Sequence, residues 1–300
     1  MQRIALGASG LELSRLVYGV WRLADSVDTS VQATLRKVHA CLDQGITSFD
    51  HADIYGDYQC EALFGAALKT APELKARLQT VTKCGIMLTS AKYPQRRVKH
   101  YDTSAAHIRA SVEASLGHIG VDVIDLLLLH RPDPFMDAAE TGACLDQLVQ
   151  SGKVRAVGVS NFQPWDCELL QSAMQTPLAT NQIELSLLAQ SPFTNGQLAY
   201  HQQRQQPVMA WSPLAGGALF GDGAAAQRVR PLLQSLASQY GVGLDAVAVA
   251  WLLAHPARIV PVLGTNDLGR VQALGDAFKV AMDRETWYQL YSQAAGVEVP

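Results

Sequence analysis

After residue 15 the chain alternates two patterns of apolar positions. Short runs that are apolar almost throughout, as in strands covered on both faces, give way to longer stretches whose apolar residues recur every three or four positions, as in helices with one buried face. Leu16–Val20 is the first such strand. Ser30–Asp43 then carries Val31, Leu35, Val38 and Leu42 on one helical face and stops at Gly45, and Ile46–Phe49 is the next strand. The same pattern predicts strands at Leu78–Thr82, Ile124–Leu129, Val154–Val159, Ala179–Leu185, Pro207–Trp211 and Ile259–Leu263. Between and after them it predicts helices at Cys60–Leu68, Ser104–His118, Asp137–Gln150, Pro164–Ala173, Thr194–Arg204, Gln227–Tyr240, Leu244–Ala254, Asp267–Phe278 and Arg284–Ala294.

Eight strand–helix units without a linker or a break in composition predict an α/β protein, a (β/α)8 TIM barrel formed by residues 1–300 as a single domain. Ahead of the barrel, Arg3–Leu6 and Leu11–Ser14 alternate apolar and polar residues around Gly7–Gly10, a β-hairpin placed to plug the barrel bottom. Arg284–Ala294 is an extra C-terminal helix. The competing arrangement, a doubly wound sheet with a second domain, calls for a dinucleotide fingerprint directly after a strand. Gly241-x-Gly243-x-x-Ala246 falls between two helices instead, and reads as a helix–helix turn with Gly243 near an N-cap.

In a barrel of this type the working groups gather at the carboxyl ends of the strands. The stretch FDHADIYG, Phe49–Gly56, sets a carboxylate, a histidine, a second carboxylate and a phenol directly behind the second strand. Four strand-end residues then form a complementary set: Asp50 and Tyr55 after the second strand, Lys83 after the third and His130 after the fourth. A phenol is a poor proton donor at neutral pH, and an adjacent ammonium is expected to lower its pKa. Tyr55 beside Lys83 is therefore the candidate acid, with Asp50 as the countercharge that keeps Lys83 protonated. His130, neutral, can orient a substrate oxygen. Such a set suits protonation of a carbonyl oxygen, and since no side chain supplies hydride, a cofactor has to.

Charge and cysteine content narrow the partners. A net charge of -3 gives no electrostatic reason to expect nucleic acid or an acidic membrane surface. No segment approaches the roughly 18 uninterrupted apolar residues of a membrane span, and MQRIALGASG lacks the apolar core of a signal peptide, so a cytoplasmic protein is expected. The cysteines, Cys41, Cys60, Cys84, Cys144 and Cys167, are odd in number, dispersed and without a C-x-x-C pair, which predicts packed thiols and neither disulfides nor a cysteine metal site.

The motifs FDHADIYG, VTKCG, LLLLHRPD, GVSNF, TNQIELS and WSPLAGG occur in that order along the chain. In them the sequence resembles the aldo/keto reductases, most closely the bacterial YdhF-like oxidoreductase branch. The resemblance implies the barrel, NADPH (NADP+) bound without a Rossmann fold, and reduction of aldehydes or ketones to alcohols, with Asp50, Tyr55, Lys83 and His130 as catalytic tetrad and Tyr55 as general acid. The cofactor site is expected to take in Gly19 and Trp21 after the first strand. Ser160, Asn161 and Gln182 offer hydroxyl and amide groups for a carboxamide, and Trp211 a flat face for the nicotinamide ring. In Ser212-Pro213-Leu214-Ala215-Gly216-Gly217, small residues let backbone N–H groups approach a pyrophosphate. Gly264, Thr265 and Asn266 follow the eighth strand, and Arg270 matches the family position that holds the adenosine 2′-phosphate, which favours NADP over NAD. Two departures from the family are Gly264, where many members have lysine, and Leu274, where they have asparagine.

A small-molecule carbonyl substrate and a monomer are expected. Gly85, where several members carry tryptophan, predicts a wide pocket, and Arg131, with Arg96 and Arg97 in the basic segment 92–99, raises the alternatives of an anionic substrate or a solvated loop. Two rival functions have their own sequence basis. A metal-dependent barrel hydrolase would draw on His51, Asp53 and His130 but lacks the usual wider histidine set, so no metal is expected. An NADPH-binding regulatory module would use the same barrel with slow turnover.

Overall fold

The apolar runs are strands because both of their faces are covered, and the computed structural model, which describes residues 1–300, closes eight of them into one parallel barrel. The strands are β1 (Val17–Gly19), β2 (Ser48–Asp50), β3 (Gln79–Cys84), β4 (Ile124–Leu129), β5 (Val154–Ser160), β6 (Leu178–Glu184), β7 (Met209–Trp211) and β8 (Val260–Leu263). Each pairs with its neighbour in sequence, and β8 returns to β1 through Val262–Val17 and Leu263–Tyr18, so the barrel sheet has no edge. The intervening helices are α1 (Val31–Asp43), α2 (Cys60–Thr70), α3 (Ala105–Ile119), α4 (Ala138–Gln150), α5 (Pro164–Ser172), α6 (Gln197–Gln203), α7 (Ala224–Tyr240) and α8 (Leu244–Leu253). After β8 come α9 (Leu268–Gln272) and the C-terminal α10 (Arg284–Ala295). Several helices begin where a side chain takes up a free N–H: Ser30 accepts from Ala33, Ser104 from His107 and Asp137 from Glu140. No single helix is long and apolar enough to cross a membrane.

The barrel interior is filled by Val17, Val81, Leu126, Leu128, Ala156, Ala179, Met209, Val260 and Val262, together with Ile4, Leu6, Leu11 and Leu13 of the hairpin. The hairpin strands Arg3–Ala5 and Glu12–Ser14 are tied to the starts of the barrel strands. Ser14 N–H donates to Ser48 Oγ at 2.9 Å, and Ser14 Oγ accepts from the Ser48 N–H at 3.1 Å. The amino-terminal end is thereby closed with apolar side chains, as expected from the sequence, and the opposite end is left for polar groups.

Three features depart from the sequence-based elements. The helix predicted at Asp267–Phe278 is broken into α9 and a 3-10 turn, Leu274–Lys279. Gln44 enters the break: its Oε1 accepts from Gly275 N–H at 2.7 Å and its Nε2 donates to Val271 C=O at 2.7 Å, replacing helical bonds. A small antiparallel pair, Ile86–Met87 with His100–Tyr101, ties down the ends of the basic segment. The third is a bulge in β6. Leu178 is level with Val157 but Gln182 is level with Ser160, so β6 holds one more residue than β5 over that span.

Helices α2 and α3 approach so closely that a Cβ on Gly65 would lie 1.9 Å from the His118 carbonyl oxygen. Alanine ordinarily stabilises a helix interior by about 1 kcal/mol over glycine, but here it meets rigid backbone. Gly65→Ala is expected to lower stability by about 1–3 kcal/mol in urea unfolding, and a neutral or stabilising result would contradict this close approach.

Candidate active site

Strand periodicity explains why three of the four candidate catalytic groups converge. Val81 and Leu128 point into the barrel, and two residues further on the same faces carry Lys83 and His130. Asp50 ends β2, level with Gly19 of β1 and Val81 of β3. Lys83 is the penultimate residue of β3, a position that sequence reading set just beyond the strand. Its ammonium is 0 % exposed and uses all three hydrogens: to Asp50 Oδ2 at 2.7 Å, to His51 C=O at 2.7 Å and to Tyr55 Oη at 3.0 Å. The His130 ring stands edge-on to Tyr55, with centroids 5.9 Å apart.

Tyr55 is held by an unusual turn. Gly56, Asp57 and Tyr58 follow it in consecutive left-handed conformations, with φ of 59°, 51° and 67°. Glycine is needed at 56 on two counts, because a Cβ would also lie 2.6 Å from Ala24 Cβ and 2.7 Å from Cys60 Sγ. The strained residues are pinned through the Tyr58 hydroxyl, which accepts from Leu88 N–H at 3.0 Å and from Arg96 Nη1 at 2.6 Å. Arg96 itself lies over the Tyr93 ring at 3.7 Å. Of the two alternatives for Arg96, an anionic substrate or a solvated loop, the geometry favours neither: its guanidinium is bonded to Tyr58 Oη and the Leu88 C=O and supports the turn.

Burial decides the electrostatics here. For Lys83 it works against the charged form, but the Asp50 carboxylate and the Tyr55 oxygen outweigh it and hold the ammonium above the ordinary lysine value. For Tyr55 burial prevails, raising the phenol above its usual range despite the opposing pull of Lys83. The expected acidification of Tyr55 is thus corrected in sign, since removal from water costs the phenolate more than one neighbouring cation returns. His130 is driven well below the ordinary histidine value by burial, then by Lys83 and Arg131, so its imidazole is neutral at pH 7.

His51 and Asp53 serve the surroundings of this site. His51 packs edge-on to Phe64 at 4.6 Å, and burial brings it down to about 4. Asp53 accepts from the Ser111 hydroxyl at 2.7 Å, and burial pushes its carboxyl up to about 7.

The β6 bulge turns Gln182 inward, level with Ser160, where its Nε2 donates to Asp50 Oδ1 at 2.8 Å. Its amide N–H is committed to the carboxylate, which leaves the carbonyl end for a ligand. Ser160 Oγ donates to the Gln182 backbone C=O at 2.8 Å, Asn161 Nδ2 to Ser160 Oγ at 2.8 Å, and Trp211 Nε1 to Asn161 Oδ1 at 2.9 Å. Asn161 takes a φ of 63° to do so. Arg131 lies beside Trp211, 5.6 Å from its ring centroid, which places it at the site and not in a remote loop.

Residues 212–217 contain two further left-handed non-glycine residues, Ser212 and Ala215, with φ of 49° and 51°. Gly216 and Gly217 follow at φ 64° and 103° with open space around each Cβ position, so conformation and not crowding requires glycine. Pro213 is buried and Leu214 packs into the core, leaving only their backbone to a ligand. Gly264 lies against Gly19, and the Thr265 carbonyl accepts from Tyr18 Oη at 2.7 Å. Arg270 is exposed, and Trp21 is 54 % exposed with Arg22 over its ring. Arg22, which sequence reading missed, bridges these loops: its Nη2 donates to Gly216 C=O at 3.4 Å and its carbonyl accepts from Asn266 Nδ2 at 2.5 Å. A cleft with amides and a hydroxyl at one end, left-handed backbone in the middle and cations at the other fits an extended dinucleotide.

Known proteins place this geometry in context. The model of the Aldo/keto reductase family matches residues 15–294. The chain is 58% identical to 6-dehydroglucose reductase of Agrobacterium fabrum (strain C58) and 43% identical to oxidoreductase YdhF of Escherichia coli (strain K12), with 100% of each chain covered in both comparisons. Among solved structures it is similar to glycerol dehydrogenase AKR11B4 from Gluconobacter oxydans, with a TM-score of 0.84 and 27% identity over 98% of this chain and 95% of that one.

The buried Asp53 carboxyl makes stability depend on pH. Unfolded, it ionises near pH 3.9, whereas the folded chain keeps the proton until about 7. Its protonation supports folding fully below the unfolded value, and that support is lost as the pH rises through the folded one. Asp53→Asn stays neutral and still accepts from Ser111, so its melting temperature should fall less than that of the wild type between about pH 5 and about pH 8. Equal falls would contradict the burial of this carboxyl.

Proposed function

The chain belongs to the aldo/keto reductase family, and from that premise we propose that it reduces the aldehyde of a small polyhydroxylated substrate to an alcohol, with NADPH as reductant and Tyr55 as proton donor. The observation that carries the proposal is the contact of 3.0 Å between the Tyr55 hydroxyl and an ammonium that Asp50 holds in its charged form. When bound, NADPH supplies hydride to the carbonyl carbon. The chain's own groups serve the oxygen. Neutral His130 orients it, and Tyr55 gives it a proton as negative charge builds there. The phenolate left behind is paired with Lys83, which needs no rearrangement to receive it. Because burial raises the phenol, Tyr55 keeps its proton throughout the neutral range and gives it up only to an oxygen made basic by hydride arrival.

Residues for the cofactor follow the cleft in order. Ser160, Asn161 and the side-chain carbonyl of Gln182 suit the carboxamide, and Trp211 suits the ring. Backbone from Ser212 to Gly217 suits the pyrophosphate, and the loop Gly264–Asn266 with Arg270 suits the adenosine phosphate. Gly19 and Trp21 border the cleft from β1. The Agrobacterium relative is named for 6-dehydroglucose, a sugar bearing an aldehyde, which makes that compound the first substrate to assay.

Tyr55→Phe is expected to bind NADPH as the wild type does and to lose carbonyl reduction by about 10²–10⁴-fold. Cofactor fluorescence titration and the loss of NADPH absorbance with a panel of aldehydes measure the two quantities separately. Reduction at near wild-type rate would overturn the assignment of Tyr55.

A further inference from the structure

Residues 88–99 leave the barrel between the paired strands Ile86–Met87 and His100–Tyr101, so both ends of the segment are fixed. Most of it is exposed, but Tyr93 and Arg96 are half-buried. Two turns set them on one side: Tyr93 N–H donates to the Ser90 C=O at 2.9 Å, and Arg96 N–H to the Tyr93 C=O at 3.1 Å. What they cover is Tyr58. The Tyr93 ring stands edge-on to the Tyr58 ring, with centroids 4.9 Å apart, and the Arg96 guanidinium lies flat enough on Tyr93 to approach its centroid at 3.7 Å. Arg96 Nη1 donates both to Tyr58 Oη and, at 3.3 Å, to the Leu88 C=O, while Leu88 N–H donates to the same Tyr58 oxygen. Leu88, Arg96 and Tyr58 thus form a closed clamp.

Through Tyr58 the clamp reaches the reacting end of the barrel. Asp57 and Tyr58 are non-glycine residues held left-handed one after the other, a conformation that persists only where the surroundings impose it. The turn closes on Tyr55 itself: Gln59 N–H donates to the Tyr55 C=O at 3.1 Å, and Tyr58 N–H to the Ile54 C=O at 3.3 Å. One side of the turn is packed, with Gly56 against Ala24 and Cys60. On the other side Asp57 is exposed and Tyr58 is gripped by the clamp. Relaxation of Tyr58 toward an ordinary backbone conformation would therefore shift the residues that fix Tyr55 against Lys83.

We propose that segment 88–99 is a strap over this turn and that Arg96, acting through Tyr58, positions the Tyr55 hydroxyl for proton transfer. The inference rests on the reading of Tyr55 as proton donor given above. Arginine suits the task because its planar group covers the Tyr93 ring while its N–H fork serves two acceptors. Arg96 acts at one remove, as a positioning residue, so its loss is felt in the step that uses Tyr55 and not in the binding of NADPH. A donor displaced by about 1 Å lowers a rate by on the order of 10²-fold.

Single-turnover NADPH oxidation by the whole protein with a reducible aldehyde, run in water and in deuterium oxide, tests this. Arg96→Met and Tyr58→Phe are each expected to slow the step by about 10- to 100-fold and to enlarge its solvent isotope effect, with NADPH binding by fluorescence titration unchanged. Either variant carries the test should the other not fold. Arg97→Met, which removes an exposed cation from the same segment, should react at the wild-type rate. Added to Tyr55→Phe, Arg96→Met should change the residual rate little, because both act through one hydroxyl. Wild-type rates in Arg96→Met and Tyr58→Phe, equal slowing by Arg97→Met, a loss confined to KM, or the same slowing in the Tyr55→Phe background would each overturn the positioning role. Tyr55→Phe reacting at near wild-type rate would instead overturn the reading of Tyr55 itself.

Discussion

A charged amine with no access to water survives inside a protein only where its hydrogens and its charge are both answered, and the site depends on how this chain does so for Lys83. The ammonium is enclosed by Asp50, the His51 carbonyl and Tyr55, with no hydrogen left over. Asp50 in turn is held from its other oxygen by Gln182. Loss of either partner would leave a buried charge unanswered, which is far more costly than the pair is stabilising. The arrangement therefore fixes the position of the Tyr55 hydroxyl as firmly as the barrel fixes Lys83.

The same bonds join the two halves of the cleft. From Trp211 the chain of contacts runs through Asn161, Ser160 and Gln182 to Asp50, Lys83 and Tyr55. Side chains suited to a nicotinamide and the proposed proton donor are thus one network, carried on β2, β3, β5, β6 and β7. The hairpin at the opposite end contributes indirectly, since its leucines and Ile4 fill the barrel below and leave the polar groups only one end to occupy.

Much of this was legible in the chain itself. Periodicity located the strands and most helices because burial on one or both faces is a local pattern, and strand ends then located Asp50, Lys83 and His130. Other features depend on contacts distant in sequence. The bulge that turns Gln182 inward has no mark in its apolar run, and the break after α9 comes from Gln44, more than two hundred residues earlier. Arg96 reads as a surface cation until Tyr93 and Tyr58 are seen to enclose it. The direction of the Tyr55 shift was beyond sequence for a different reason: burial and a neighbouring cation oppose each other, and only the depth of the site decides between them.

The central claim is that the buried ammonium makes Tyr55 a competent donor. It is tested most directly by single-turnover NADPH oxidation with a reducible aldehyde in the double variant Asp50→Asn/Lys83→Met, which removes both buried charges together and leaves neither unpaired. The predicted result is retained NADPH binding with hydride transfer slowed by about 10²–10⁴-fold. Transfer at a rate close to that of the wild type would contradict the claim.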